Sequence, residues 1–263
     1  MRIPFEITLR TLLIDTYKVK DVQPRNWQDT PVVEYRFLAS LEEQQLGRWL
    51  FDTVWPSKEE GTQIAPNFLQ ALMHSGSYLS GAFVDGKIVG AAFGFPAKDD
   101  DGTFYIHSHM AAVLTEYQDH GIGLGLKLHQ KDWALANGYK KIKWTFDPLV
   151  ARNAWFNFSR LGTRAVHYYV NFYGLMSDAI NAGDESDRIL VEWDLVGEKR
   201  DLSAANSVEV AIPEDIVAIR KSDIELARKW RRDVRAALQP RLDAGWQIVG
   251  FTKDCKYIVS EVK

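Results

Sequence analysis

Short stretches of strict apolar–polar alternation and stretches with apolar residues at helical spacing follow one another along this chain in a definite order. Phe5, Ile7 and Leu9 alternate with Glu6, Thr8 and Arg10 and predict a short strand, followed by a connector at Gln23-Pro24-Arg25-Asn26. Val33, Tyr35 and Phe37 predict the first strand of the main domain. Ser40-Leu41-Glu42-Glu43 is a capping box, and the helix it opens carries Leu46, Trp49, Leu50 and Val54 before stopping at Pro56. A second helix is expected from near Pro66 to Gly76. Trp49, Trp55 and Phe68 are expected in the core. Two apolar runs, Tyr78 to Val84 and Lys87 to Phe95, are joined by Asp85-Gly86, a hairpin turn in which positive φ is cheap.

A turn at Asp99-Asp100-Asp101-Gly102 feeds a further strand, Phe104 to Val113, and a helix is expected from Leu124 to Asn137, closed by Gly138. The three aspartates read as a solvated turn, because no partner ligands with metal spacing follow. At about 100° per residue, Leu124, Leu128 and Leu135 line one side of the helix, and Ile122, Leu126 and Trp133 nearly the opposite side. A sheet covers one stripe, so a second element must cover the other. Ile142 to Phe146, a helix from about Asn153 to Leu161, and strands Val166 to Phe172 and Ile189 to Leu195 follow, with a polar loop at Ser177 to Asp187. Composition shifts at Gly197 to Asn206, which reads as a linker. Beyond it come a strand (Val208 to Ile212), a charged helix (Ser222 to about Leu242) and two strands (Trp246 to Phe251, Tyr257 to Val262). Three parts are therefore expected: an extension at 1–30, a main domain at 31–196 and a βαββ piece at 207–263 that packs on it and covers the second stripe.

Net charge of −3 gives no electrostatic case for nucleic acid, and in the charged helix Arg228, Lys229, Arg231, Arg232 and Arg235 are interleaved with acids, as on a solvated face. With 46% hydrophobic residues the 263-residue chain can build a sizeable core. One cysteine, Cys255, excludes an intrachain disulfide framework and fits a cytoplasmic setting. Arg2, Glu6, Arg10 and Asp15 break any leader-type apolar core, and no run reaches membrane length.

The chemistry concentrates between Val113 and Gly125, where a strand hands over to a helix N-terminus through three glycines. The first amides of a helix have no intrahelical acceptor, and the helix dipole adds about half a positive charge there, so the turn suits a phosphate-bearing ligand. A dinucleotide loop would want G-x-G-x-x-G with an acid about twenty residues on. Here the third glycine comes one residue early, and Lys140 and Lys141 stand near that position. Leu126 and Lys127 do not supply the ending of a P-loop.

The spacing Q-x-x-G-x-G, from Gln118 through Gly121 to Gly123, resembles the coenzyme A pyrophosphate loop of the GNAT acyltransferase superfamily. The element order from 31 to 196 is similar to the whole GNAT fold, an α/β (α+β) fold with a mixed central sheet of about seven strands flanked by helices. Asn153-Ala154 and Leu161-Gly162 match the family's second motif, with Phe158 where a tyrosine is expected. The resemblance implies CoA-dependent N-acyl transfer by direct aminolysis. Gln118 and the backbone of His120, Gly121, Ile122, Gly123, Leu124 and Gly125 would hold the pyrophosphate. Ala111, Val113, Asn153 and Phe158 would border the rest of CoA, and strands four and five would splay to admit the thioester. The string W-T-F-D-P-L with R-N-A following resembles a group of bacterial predicted acetyltransferases, some relatives of which are thought to succinylate amino acids.

Aminolysis needs a base, and His107 and His109 share one side of a strand. Their spacing resembles the histidine pair of the arylalkylamine N-acetyltransferases. The alternative is two histidines in core hydrogen bonds. Glu116 and Asp147 are further base candidates. Phe158 has no hydroxyl, so the proton for the thiolate would come from Tyr168, Tyr169 or Tyr173, with Tyr169 carried as the candidate. Arg152, Arg160, Arg164 and Arg188 could hold a carboxylate. The implied co-substrate is acetyl-CoA or another acyl-CoA such as succinyl-CoA, without a metal. The expected acceptor is a small amine or an amino acid, and neither nucleic acid nor membrane is an expected partner. A homodimer is one of the assembly states open to the chain. A CoA-binding module that catalyses little is the alternative of another class.

Overall fold

The computed structural model describes residues 32–56, 62–174, 184–197 and 206–261. The strand expected at 5–9, its connector, and most of the 177–187 loop and the 197–206 linker lie outside the described residues. A seven-stranded mixed sheet has the order β1-β2-β3-β4-β5-β7-β6, and a second sheet has the order β8-β10-β9. The strands are β1 (Glu34–Phe37), β2 (Tyr78–Val84), β3 (Lys87–Lys98), β4 (Phe104–Val113), β5 (Lys141–Phe146), β6 (Arg164–Tyr169), β7 (Arg188–Asp194), β8 (Ser207–Ala211), β9 (Gln247–Phe251) and β10 (Lys256–Ser260). In the large sheet only the β4–β5 pair is parallel. The expected α/β architecture is therefore the one observed.

Local chemistry accounts for the boundaries. Ser40 Oγ accepts from the Glu43 amide (3.2 Å) and a Glu43 carboxylate oxygen accepts from the Ser40 amide (3.1 Å), so the capping box opens α1 (Leu41–Val54). Pro66 begins α2 (Pro66–His74). Asp85 and Gly86 both take positive φ (49° and 74°), the pair a tight hairpin needs between β2 and β3. Helix α3 (Ile122–Ala136) starts two residues before the expected Leu124. Helix α4 (Ala151–Ala154) runs on as a wider π-helical stretch, Trp155–Leu161, up to Gly162. The charged C-terminal helix expected from Ser222 to about Leu242 is α6 (Ile224–Asp243), and a short helix outside that expectation, α5 (Ile216–Ser222), precedes it. Asp223 separates them, because its extended backbone leaves its carboxylate free to cap the Leu226 amide (3.0 Å).

Helices α1 and α2 cover one face of the sheet, where Leu38, Leu50, Leu69, Leu79, Phe93 and Met110 form a buried cluster. Trp49 and Phe68, expected in that core, are instead 52% and 60% exposed on the outer sides of their helices. Helix α3 covers the other face, packing Ile122 and Leu126 on Tyr35, Tyr78 and Ala92. Trp133 continues that stripe, its ring 5.1 Å from Tyr78. This stripe thus lies on β1–β3, and the C-terminal unit packs elsewhere, on β6 and on the stretch after α4. There Ser159 Oγ donates to the Phe251 carbonyl (2.9 Å) and Tyr257 Oη to the Pro148 carbonyl (2.7 Å).

Gly125 is fixed by this packing. A Cβ at that position would lie 2.1 Å from Tyr35 Cζ and Oη, and Tyr35 is only 6% exposed and has no room to turn aside. Gly125→Ala should therefore cost about 1–3 kcal/mol in urea unfolding, the usual range for overpacking a filled core. An unchanged midpoint would mean that the ring relocates freely.

Candidate active site

Strands β4 and β5 pair only at Ile106–Ile142 and His107–Lys143. Past those rungs β4 stays with β3 as far as Val113, and β5 stays with β7 as far as Phe146. The sheet therefore opens in its middle, and Ala111 is exposed although its strand is central. A bulge contributes to the parting. Phe93 pairs with Met110 and Gly94 with Ser108, which leaves His109 as an extra residue on β4. After it, side chains change sides: Ile106 packs in the cluster that holds α3's Ala134, whereas Met110 and Ala112 point into the α1–α2 core.

The opening ends at the N-terminus of α3. Gly121 sits there in the left-handed region (φ 78°) and offers no side-chain cap. The amides of Ile122, Gly123 and Leu124 point out of the first turn, where helix geometry gives them no acceptor. The Gly125 amide differs, since it donates to the Gly121 carbonyl (3.0 Å). Gly125 thus serves packing, and its amide is already used. A Cβ on Gly123 would meet only Val113 Cγ2 at 3.9 Å, so the bare Cα leaves an approach to the backbone. The Gln118 side chain is occupied within the protein: it donates to the Val113 carbonyl (3.0 Å) and accepts from Arg152. Arg152, itself about half exposed, thereby stands beside this turn with the preceding Asp119 at 3.9 Å. His120 is half-buried just before Gly121.

His107 and His109 lie with ring centroids 5.9 Å apart, against Phe95 at 5.1 and 5.8 Å. Burial, then His109 and Lys127, lower the His107 pKa to about 4. His109 is also lowered by its surroundings, but its ring meets solvent, so the push there is weaker. Both are neutral at pH 7. On β5 the Thr145 hydroxyl lies 3.2 Å from Tyr173 Oη. Tyr173 is thus the tyrosine that reaches β5. Tyr169 packs on His167 and Phe172, and Tyr168 is buried, donating to Asp187 (2.7 Å).

Other candidates are placed differently from expectation. Glu116 is exposed on the turn Thr115–Tyr117. Asn153 is exposed on α4, near the opening, whereas Phe158 points inward between Phe146 and Tyr257. The wider π-helical turn rotates Phe158 into the core, away from a ligand-facing position. Asp147 is no base. Burial alone would raise its pKa, but the guanidiniums of Arg231 (2.6 Å) and Arg220 (2.5 Å) hold it well below the usual carboxylate range. Arg231, expected on a solvated face, is 1% exposed, and Asp184 joins the same cluster (2.8 Å). Arg164 is held by Glu192 (2.6 Å), and Arg188 is buried with a nitrogen on the Asp187 carbonyl (2.8 Å).

Lys127 escaped the sequence reading. It is 4% exposed, donates to Ser108 Oγ (2.7 Å) and holds Nζ 3.7 Å from the centre of the Trp144 ring. Burial lowers its pKa to about 7. The signal was available: at about 100° per residue Lys127 falls between the two apolar stripes of α3, on the side of Gly123 and Ala134.

A parallel pair that parts beside a glycine-rich, uncapped helix start can admit an extended, phosphate-bearing ligand. Residues 38–162 match the model of the acetyltransferase (GNAT) family. Members of this family are CoA-dependent N-acetyltransferases. Among solved structures, an N-acetyltransferase from Staphylococcus aureus Mu50 is 14% identical, with a TM-score of 0.50 over 62% of this chain and 98% of that one. The ribosomal-protein-S18-alanine N-acetyltransferase of Escherichia coli is 13% identical (TM-score 0.49; 65% and 99% covered). Naa50 of Arabidopsis thaliana, in complex with the bisubstrate analogue CoA-Ac-MVNAL, is 19% identical (TM-score 0.47; 61% and 97% covered). No curated protein matches the chain in sequence.

Proposed function

We propose that this protein transfers an acetyl or other short acyl group from its CoA thioester to the primary amine of a small molecule. The observation that carries this reading is that β4 parts from β5 after His107–Lys143 and then leads, through Val113, to the uncapped start of α3. The amides of Ile122, Gly123 and Leu124 hold the pyrophosphate, with Arg152 supplying a cation beside it. The unpaired edge of β4 at Ala111 and Val113 takes the extended pantetheine, much as a strand adds to a sheet edge. Asn153 borders the same arm.

The amine reaches the thioester carbon from the side of His107 and His109. Phe95 packs against both imidazoles there, and the Thr145 hydroxyl and Tyr173 Oη meet on the β5 side. A neutral imidazole takes the ammonium proton, directly or through a water, and the nitrogen lone pair then attacks the carbonyl.

Saturating acetyl-CoA should raise the melting temperature. A ligand bound only by the native state adds about 2.7 kcal/mol at 100 times its dissociation constant. Gly123→Val should abolish the shift without unfolding the protein, because its Cβ enters open space that the phosphate would occupy. A melting temperature indifferent to CoA would overturn the reading. Release of free thiol, measured for acetyl-, succinyl- and other acyl-CoA against a panel of amines and both amino-acid enantiomers, identifies donor and acceptor. Binding without thiol release with any of them would indicate a CoA-binding module.

A further inference from the structure

The last rungs joining β4 to β5 are Ile106–Ile142 and His107–Lys143. The next residue on each strand is Ser108 and Trp144. Lys127 Nζ touches both of them, the hydroxyl at 2.7 Å and the ring face at 3.7 Å, and so sits at the apex of the opening. Trp144 is held in place by its own Nε1, which donates to Asn157 Oδ1 (3.2 Å). Among the described residues Lys127 has no carboxylate partner. A buried amine with only a hydroxyl and an aromatic face costs more to keep than a leucine would. One helical turn on, Gln130 is wholly buried with neither amide atom bonded, beside Gly94, the residue paired with Ser108. The apex is thus polar on the α3 side, opposite the face that carries His107 and His109.

We propose that Lys127 is a catalytic residue: it donates the proton that the departing CoA thiolate takes up. This rests on the acyltransferase reading above. When the tetrahedral intermediate collapses, the carbon–sulfur bond breaks and its electron pair goes to sulfur. An Nζ–H proton of Lys127 passes to that sulfur, giving CoA thiol and a neutral lysine amine. The acceptor nitrogen gives up two protons through the histidine side, one before attack and one as the intermediate collapses to the amide. Solvent takes both of these and returns one to Lys127, so one proton is released overall. The arrangement puts acid and base on opposite faces of the opening, so neither blocks the other. It also answers the absence of a hydroxyl at Phe158. Around Nζ the other ionisable groups are His107 and Lys143, which face the far side of the sheet, and Lys131 and Asp132 further along α3. Of these, Lys143 is paired with Asp99 and Glu192.

The test compares CoA with desulfo-CoA, which lacks the sulfur, by calorimetry from pH 6 to 9. Contact between Lys127 Nζ and the sulfur should make the intact protein bind CoA about tenfold or more tightly than desulfo-CoA. Lys127→Met should bring the ratio to about one. Ser108→Ala, which keeps the lysine but loosens it, should lower the ratio part of the way. In turnover, Lys127→Met should reduce kcat about a hundredfold with KM for acyl-CoA little changed. It should also erase the basic limb of the kcat profile, since only protonated lysine donates. Equal binding of CoA and desulfo-CoA by the intact protein overturns the proposal while leaving the CoA reading standing. Failure of both to bind overturns the two together.

Discussion

Asp147→Ala should unfold at far lower urea than the parent, with a loss of about 3–5 kcal/mol, the usual cost of stranding a buried charge. The carboxylate lies between Arg231 and Arg220, which are 1% and 9% exposed, and without it Asp184 faces both guanidiniums alone. Replacing both members of a pair is milder than removing one, so Asp147→Leu combined with Arg231→Met should recover part of the loss. The pH dependence has a defined sign. Asp147 has its folded pKa held below the unfolded value, so its contribution is present in full above the ordinary aspartate range. It is lost as pH falls below that range through the folded value. The parent should therefore lose stability on acidification below about pH 4, and the Asp147 variant should lose less over the same window. Equal stability of parent and variant at pH 7 would show that the arginines find other partners.

The second large effect concerns turnover. His109→Gln should lower kcat about 10²- to 10⁴-fold, the range for removing a general base. His107→Gln should lower it less. With a pKa of about 4, His107 is neutral at any working pH but a weak home for an ammonium proton, whereas His109 meets solvent and is the stronger base. A water between the rings would share the task, so the double variant should lose less than the product of the two single losses. Both folded pKa values lie below the free imidazole value of about 6.5, so the acid limb of the rate profile should fall below that pH and vanish in the variant that removes the base. CoA affinity should not change. Wild-type turnover and an intact acid limb in both variants would make the pair a packing feature.

The sheet, its helices and the glycine turn could be read from the sequence because they rest on local signals. Ser40 with Glu43, Asp85-Gly86, and the passage from alternation to helical spacing at Gly121 each act within a few residues. What could not be read depends on distant partners. Trp49 and Phe68 have apolar spacing, but which side of a helix is covered depends on what the rest of the chain brings there. Arg231 looks like its exposed neighbours Arg228 and Lys229 until Asp147 and Asp184 are seen to meet it. Phe158 matches a motif position by count, but the π-helical turn changes the direction of its side chain. Tyr173, outside any strand, reaches Thr145 because the chain after β6 folds back, which no periodicity reports.

The cluster around Asp147 also sets an order of assembly. The cations that neutralise Asp147 lie 73 and 84 residues further along the chain. At ordinary rates of synthesis that is roughly 4–17 s of translation. For that time the growing chain holds β5 and the stretch after α4 without the segment that buries Phe158 and Tyr168. Contacts of such long sequence separation form late and slowly. The C-terminal unit therefore completes folding as a closing step, and a ribosome pause after β7 would lengthen the period in which the half-made enzyme is open to aggregation.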